Sequence, residues 1–135
     1  MIEVGIVSLL KADATVAGLV GPRLFPVLVP EGSMPVNAGD PPCLSYQIIS
    51  ASAAYTLDPK ELDTKRVQFD AWGVAYSDCK NVKQAVRNAL DGYKGTLPDG
   101  TRVLGTFRGV EVDFWEDASR VYRVLFEYTF QFVEP

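Results

Sequence analysis

Ile2, Ile6, Leu9 and Leu10 recur at helical spacing, so the chain is expected to begin with a helix. Asp13 stands where it can cap a second short turn carrying Val16, Leu19 and Val20, which Gly21 and Pro22 then end. Residues 24–29 are β-prone but lie between Pro22 and Pro30, which allows only an edge or irregular strand. Residues 30–42 are rich in proline and glycine and read as a loop, and residues 44–52 read as a strand. Residues 57–65 are charged, with Asp58-Pro59 as a turn signal, and are expected to be a solvated, mobile segment. From Arg66 to Trp72 the alternation is strict: Val67, Phe69 and Ala71 take one face, and Gln68, Asp70 and Trp72 the other.

Ser77 suits the N-cap of a second long helix whose apolar stripe is Cys79, Val82, Val86, Ala89, Leu90 and Tyr93. Lys80, Lys83, Gln84, Arg87 and Asn88 would form its wet face. Past the turn at Pro98-Asp99-Gly100, residues 102–115 and 120–133 predict a hairpin joined through Glu116, Asp117, Ala118 and Ser119. In its last strand Tyr122, Val124, Phe126, Tyr128, Phe130 and Phe132 all point one way, an aromatic wall that requires helices against it. Too few helices separate the strands for a doubly wound parallel sheet. The expected fold class is therefore α+β, one mostly antiparallel β-sheet with helices packed on one face.

Composition narrows the chemistry more than it names it. The 135 residues (14.8 kDa) predict a single domain over residues 1–135, large enough to fold without metals or disulfides. Histidine is absent, which removes Ser-His-Asp and Cys-His nucleophile systems, HExxH zinc sites and the usual proton shuttle near neutral pH. Cys43 and Cys79 are too far apart for a CxxC motif and read as reduced core residues. With 13 basic and 17 acidic residues the net charge is −4, which argues against a dedicated nucleic-acid binder. Neither an export signal nor a run of apolar residues long enough to cross a membrane is present, so a soluble, unsecreted protein is expected.

Three constellations invite a chemical reading. Glu111 and Asp113 share a strand face and, with Asp70, could hold a divalent metal. Pro98-Asp99 upstream is like the start of a PD-(D/E)xK nuclease motif, but Asp113 stands where the lysine is required. An exposed acidic face that blunts strand-edge pairing explains these acids better. Ser77 and Lys80 are more simply an N-cap and a solvated helix residue than a nucleophile pair. Gly105 and Gly109 lie in a strand and read as bulge or close-packing glycines, since neither GxGxxG nor a P-loop occurs. Trp72 and Trp115 sit where a tryptophan is either covered or offered to a partner.

The order of blocks is distinctive: Leu9-Leu10-Lys11-Ala12-Asp13-Ala14-Thr15-Val16-Ala17-Gly18-Leu19-Val20-Gly21, Arg23-Leu24-Phe25-Pro26, Arg66 to Trp72, Tyr76-Ser77-Asp78-Cys79-Lys80, then Ala89-Leu90-Asp91-Gly92. Over nearly its whole length the chain resembles the tail completion proteins of tailed phages, the tail terminators related to the minor tail protein U of lambda-like phages. The resemblance implies a virion structural protein, assembled in the host cytoplasm, that caps the head-proximal end of the tail tube. It would stop tube polymerisation and offer a docking surface to the head connector. A ring of six copies, the tail tube protein and the head–tail connector protein are the implied partners, with no cofactor, no catalysis, no membrane and no specific nucleic acid.

A head-to-tail adaptor is the alternative from the same pathway, and a metal-dependent nuclease using Glu111 and Asp113 is a distant one. Ring contacts are expected on the charged helix face or a strand edge, because a heterologous contact needs two different patches. Docking is expected in the loops, residues 30–42 and 57–65, the second with Asp58, Lys60, Glu61 and Asp63 as a mixed-charge rim. Trp115, Glu116 and Asp117 at the hairpin turn are the next candidates.

Overall fold

A computed structural model describes residues 1–54 and 62–135 of the chain. Helix α1 covers Ile2–Ala12 and helix α2 covers Ala14–Val20. They are separated at Asp13, whose Oδ1 accepts hydrogen bonds from the backbone N–H of Thr15 and Val16, both at 3.0 Å. This is the N-cap that the sequence places there. Asp13→Ala is expected to lower stability by about 1 kcal/mol in urea melts. Gly21, at φ +53°, ends α2 in a conformation that L side chains rarely adopt.

Strand β1 (Leu24–Pro26) leads through a loop with one 3-10 turn, Glu31–Ser33, to β2 (Cys43–Ala54). Strand β3 (Leu62–Gly73), helix α3 (Tyr76–Leu90), the short β4 (Gly95–Thr96), β5 (Arg102–Glu116) and β6 (Val121–Val133) complete the chain. The six strands form one sheet in the order β1-β2-β3-β6-β5-β4, antiparallel except where β1 runs parallel to β2. This is the expected α+β class.

The sheet turns its aromatic wall to the helices. Val124, Phe126, Tyr128, Phe130 and Phe132 of β6 are fully buried, with Val67, Phe69 and Ala71 of β3 beside them. The register puts Phe69 opposite Phe126, their rings stacked 5.4 Å apart. Ile2, Ile6 and Leu10 of α1, Val16 and Val20 of α2, and Cys79, Val82, Val86 and Leu90 of α3 cover this wall in a single core.

Three expectations need correction. Leu62, Asp63, Thr64 and Lys65 are not solvated loop but the start of β3, paired across to β6 from Asp63 opposite Phe132. The rest of the segment expected to be mobile, including Asp58, Lys60 and Glu61, lies outside the described residues. Lys65 is compatible with a half-buried strand because its Nζ lies 3.3 Å from Glu3 Oε1 of α1. Helix α3 begins at Tyr76 with Ala75 as N-cap and no side-chain cap, so Ser77 lies in its first turn. Arg87 does not belong to the wet face of α3. It is buried, and its Nη1 donates to the Tyr128 hydroxyl at 3.1 Å while its guanidinium lies over the Phe126 and Tyr128 rings.

Candidate functional site

The two carboxylates that most resembled a metal site are instead bound by cations from α3. Strand register puts Glu111 opposite Phe126 and Asp113 opposite Val124, on the helix-covered face of the sheet. There Lys80 Nζ lies 2.8 Å from Asp113 Oδ1, and Lys83 Nζ lies 3.1 Å from Glu111 Oε1. Arg87 Nη2 stands 3.5 Å from Glu111 Oε2, and the Tyr76 hydroxyl donates to Asp113 Oδ2. Asp70, the third acid of the supposed triad, is on the opposite face of the sheet, opposite Leu125. Among the described residues no three Asp, Glu or Cys side chains converge as metal ligands would. Glu111 and Asp113 both tie β5 to α3.

This pairing sets the acid sensitivity of the fold. Burial raises the Glu111 carboxyl, but the hydrogen bond from Lys83 and the charges of Lys83, Lys80 and Arg87 outweigh it and hold the group below its ordinary value. Hydrogen bonds from Lys80 and Tyr76 hold Asp113 down as well. Carboxylates depressed in the folded state stabilise it above their unfolded values and lose that contribution as pH falls through the folded ones. The melting temperature is therefore expected to drop as pH falls below about 4, and to drop less steeply in Lys80→Met. An identical acid limb in the variant would contradict this role of Lys80.

The face of the sheet turned away from the helices carries a second polar network. Arg123 lies between the rings of Trp72 (5.3 Å) and Phe114 (4.5 Å), with Asp70 Oδ1 at 3.5 Å and Glu116 Oε1 at 3.4 Å from its Nε. Trp72 is thus covered by Arg123, and its Nε1 donates to Ser45 Oγ at 3.0 Å. Burial pushes the Asp70 carboxyl above its ordinary value, partly offset by the Gln68 hydrogen bond and by Arg123. The two thiols are buried and pushed up to about 12, which makes them inert near neutral pH.

The anticipated contact residues are not gathered into one site. Asp63 sits half-buried opposite Phe132 at one end of the sheet, and Trp115 sits opposite Tyr122 at the other. Ten residues of β6 separate those two levels, roughly 33 Å at the usual strand rise. Trp115 is 48% exposed and packs edge-on against Tyr122 at 4.9 Å. Glu116 pairs with Arg123, and Asp117 is exposed in the turn.

An exposed apolar row on β5 escaped the sequence reading. Leu104, Phe107, Val110, Val112, Phe114 and Trp115 are all substantially exposed along one strand, β5. Strand β4 pairs only with Arg102 and Val103, which leaves the rest of the β5 edge open among the described residues. The available signal was apolar residues at both parities of residues 103–115, since a strand with one buried face needs only one set. A groove of about 510 Å³ lies at the other side of the sheet, lined by Met1, Glu3, Pro26, Val27, Tyr46, Gln47 and Ile48.

An α+β layer whose Glu111 and Asp113 are paired to α3, with an apolar strand laid open, has the build of a structural protein that works through contacts. The chain belongs to the family of tail completion protein gp17, whose model matches residues 4–132, and it is a phage tail structural protein. Among solved structures it is similar to a chain in the virion of a native gene transfer agent (GTA) particle, with a TM-score of 0.68 at 19% identity over 95% of this chain and 91% of that one. That likeness shows the fold. No curated protein matches the chain.

Proposed function

We propose that this protein completes the tail by capping the head-proximal end of the tail tube, ending its polymerisation and presenting a surface to the head connector. It works without catalysis or cofactor, as one domain, in a ring of six copies formed free or on the tube, and stays in the virion. The observation that carries this reading is family membership over residues 4–132, and it is supported by the exposed apolar length of β5, on which Glu111 and Asp113 are already paired to α3. Two partners need two surfaces. Asp63 with its sequence neighbours Asp58, Lys60 and Glu61 offers one, and Trp115, Glu116 and Asp117 at the far end of the sheet offer another.

The test is a lysate of the phage without this chain. Free heads and tails of irregular, excessive length are expected there, because an uncapped tube keeps adding rings. Tails of normal length that fail to join heads would instead make the protein a head-to-tail adaptor. Replacing Asp58, Glu61 and Asp63 together by serine is expected to leave the melting temperature nearly unchanged and to abolish complementation. Full complementation by that variant would place the working surface at the Trp115 end.

A further inference from the structure

Among the described residues the sheet has two free edges, and they match each other. One is β5 beyond Val103; the other is β2 beyond Tyr46, where β1 stops and Val27 makes the last backbone hydrogen bond to Tyr46. Neither edge is blocked by proline or lysine. Cys43–Ala54 has no charged residue and no proline, and residues 105–112 have neither lysine nor proline. The charges on that stretch of β5 are already paired within the chain, Arg108 with Asp91 and Glu111 with Lys83.

Both edges also carry extra residues, one in β2 and two in β5, the first of the latter between Val103 and Gly105. The β2 ladder shifts between Ile48 and Ser50, and the β5 ladder shifts between Arg108 and Glu111. In an antiparallel alignment that sets Ile48 opposite Glu111, and Ala51 opposite Arg108, the two irregularities fall at the same place. Outside the irregular residues 49, 109 and 110, each residue then meets one on its own face. On the helix-covered side these pairs are Ile48 with Glu111, Ala51 with Arg108, and Ala53 with Thr106. On the open side they are Gln47 with Val112, and Ser52 with Phe107.

We propose that neighbouring copies of this chain join by antiparallel pairing of the β5 edge of one, residues 106–112, with the β2 edge of the next, residues 47–53. A second copy is the occupant these edges fit, because one strand from each side of the same sheet supplies both halves of the match. The contact is heterologous, with two different patches per subunit, as a closed ring requires. Within one chain Ile48 is level with Arg108, and Arg108 and Glu111 face Tyr128 and Phe126 of β6, so pairing Ile48 with Glu111 displaces each copy along the strands by two ladder positions, roughly 7 Å. Such a stagger is the shear by which a sheet tilts as it closes. Past Val112 the pairing ends, because Leu44, Ser45 and Tyr46 are already paired with β1. The inference rests on the reading of the chain as a ring-forming tail protein, whose contacts it specifies.

Cysteine pairs test it in the full chain, both purified at high concentration and within tail particles. Ser52→Cys with Phe107→Cys, and separately Gln47→Cys with Val112→Cys, are expected to give a ladder of disulfide-linked chains on oxidation. Ser52→Cys with Phe114→Cys, displaced by seven residues, is expected to give none. Three strand spacings, about 14 Å, separate β2 from β5 within one chain, so a bond between them reports two copies. The native thiols are buried and do not interfere. Particles that carry the chain at the tail end but yield no ladder, or a ladder equally strong in the displaced pair, would overturn the pairing and leave the tail function standing. If the chain is missing from tails, that function fails, and the purified protein still decides the pairing by the same ladder.

Discussion

Phe126→Ala is expected to lower the free energy of unfolding by about 3–5 kcal/mol, a large share of the roughly 5–15 kcal/mol that holds a domain folded. Phe126 has no exposed surface, stacks on Phe69 at 5.4 Å and lies beneath the Arg87 guanidinium at 5.7 Å. Truncation removes its contacts with both and opens a cavity in the centre of the wall. The helices above are held to the sheet, so little collapse is available to refill it. A loss below about 1 kcal/mol in urea melts would mean that the strand faces the other way. Phe130→Ala is expected to behave similarly, being equally buried.

Gly5→Leu is the second large effect, by overpacking. A Cβ at Gly5 would come 2.5 Å from Asp99 Oδ1 and 2.8 Å from Leu97 Cβ, closer than side chains approach. Asp99 cannot easily yield, since its Oδ1 accepts from the Thr101 backbone N–H at 3.0 Å and its Oδ2 from the Thr101 hydroxyl at 2.7 Å. Helix α1 must then lift from the turn before β5, at a cost of about 1–3 kcal/mol. Unchanged urea stability would show that α1 is only loosely seated. Gly18→Leu is the control, because nothing lies near a Cβ at that position.

The elements that follow a strict period were legible in the sequence. The alternation from Arg66 to Trp72, the aromatic series of β6 and the stripe of α3 each bury the side they predict, because one face of each meets the same core. What escaped depends on partners distant in sequence. Lys65 reads as solvent-facing until Glu3, 62 residues away, is seen to pair with it. Arg87 has the spacing of a wet-face residue, and only the Tyr128 hydroxyl and the ring faces of β6 make its burial tolerable. The parallel pairing of Leu24 with Leu44 has no local signature, since three residues are too few to show a period.

The candidate site was legible in part. Trp115, read as either covered or offered to a partner, is half-exposed, but the row from Leu104 to Phe114 was not singled out, because it becomes exposed only when β4 proves two residues long. Glu111 and Asp113 looked like free acids because their counter-ions come from a helix more than twenty residues earlier in the chain. Sequence order therefore suggested chemistry where the fold has built a brace. Family membership and an open apolar strand now point to assembly.

Electron microscopy of tail particles bearing a labelled copy of this chain tests the central claim most directly. The account predicts label only at the head-proximal end of the tube, in a ring with six-fold symmetry between tube and connector. Label along the tube, at its far end or on heads without tails would contradict it.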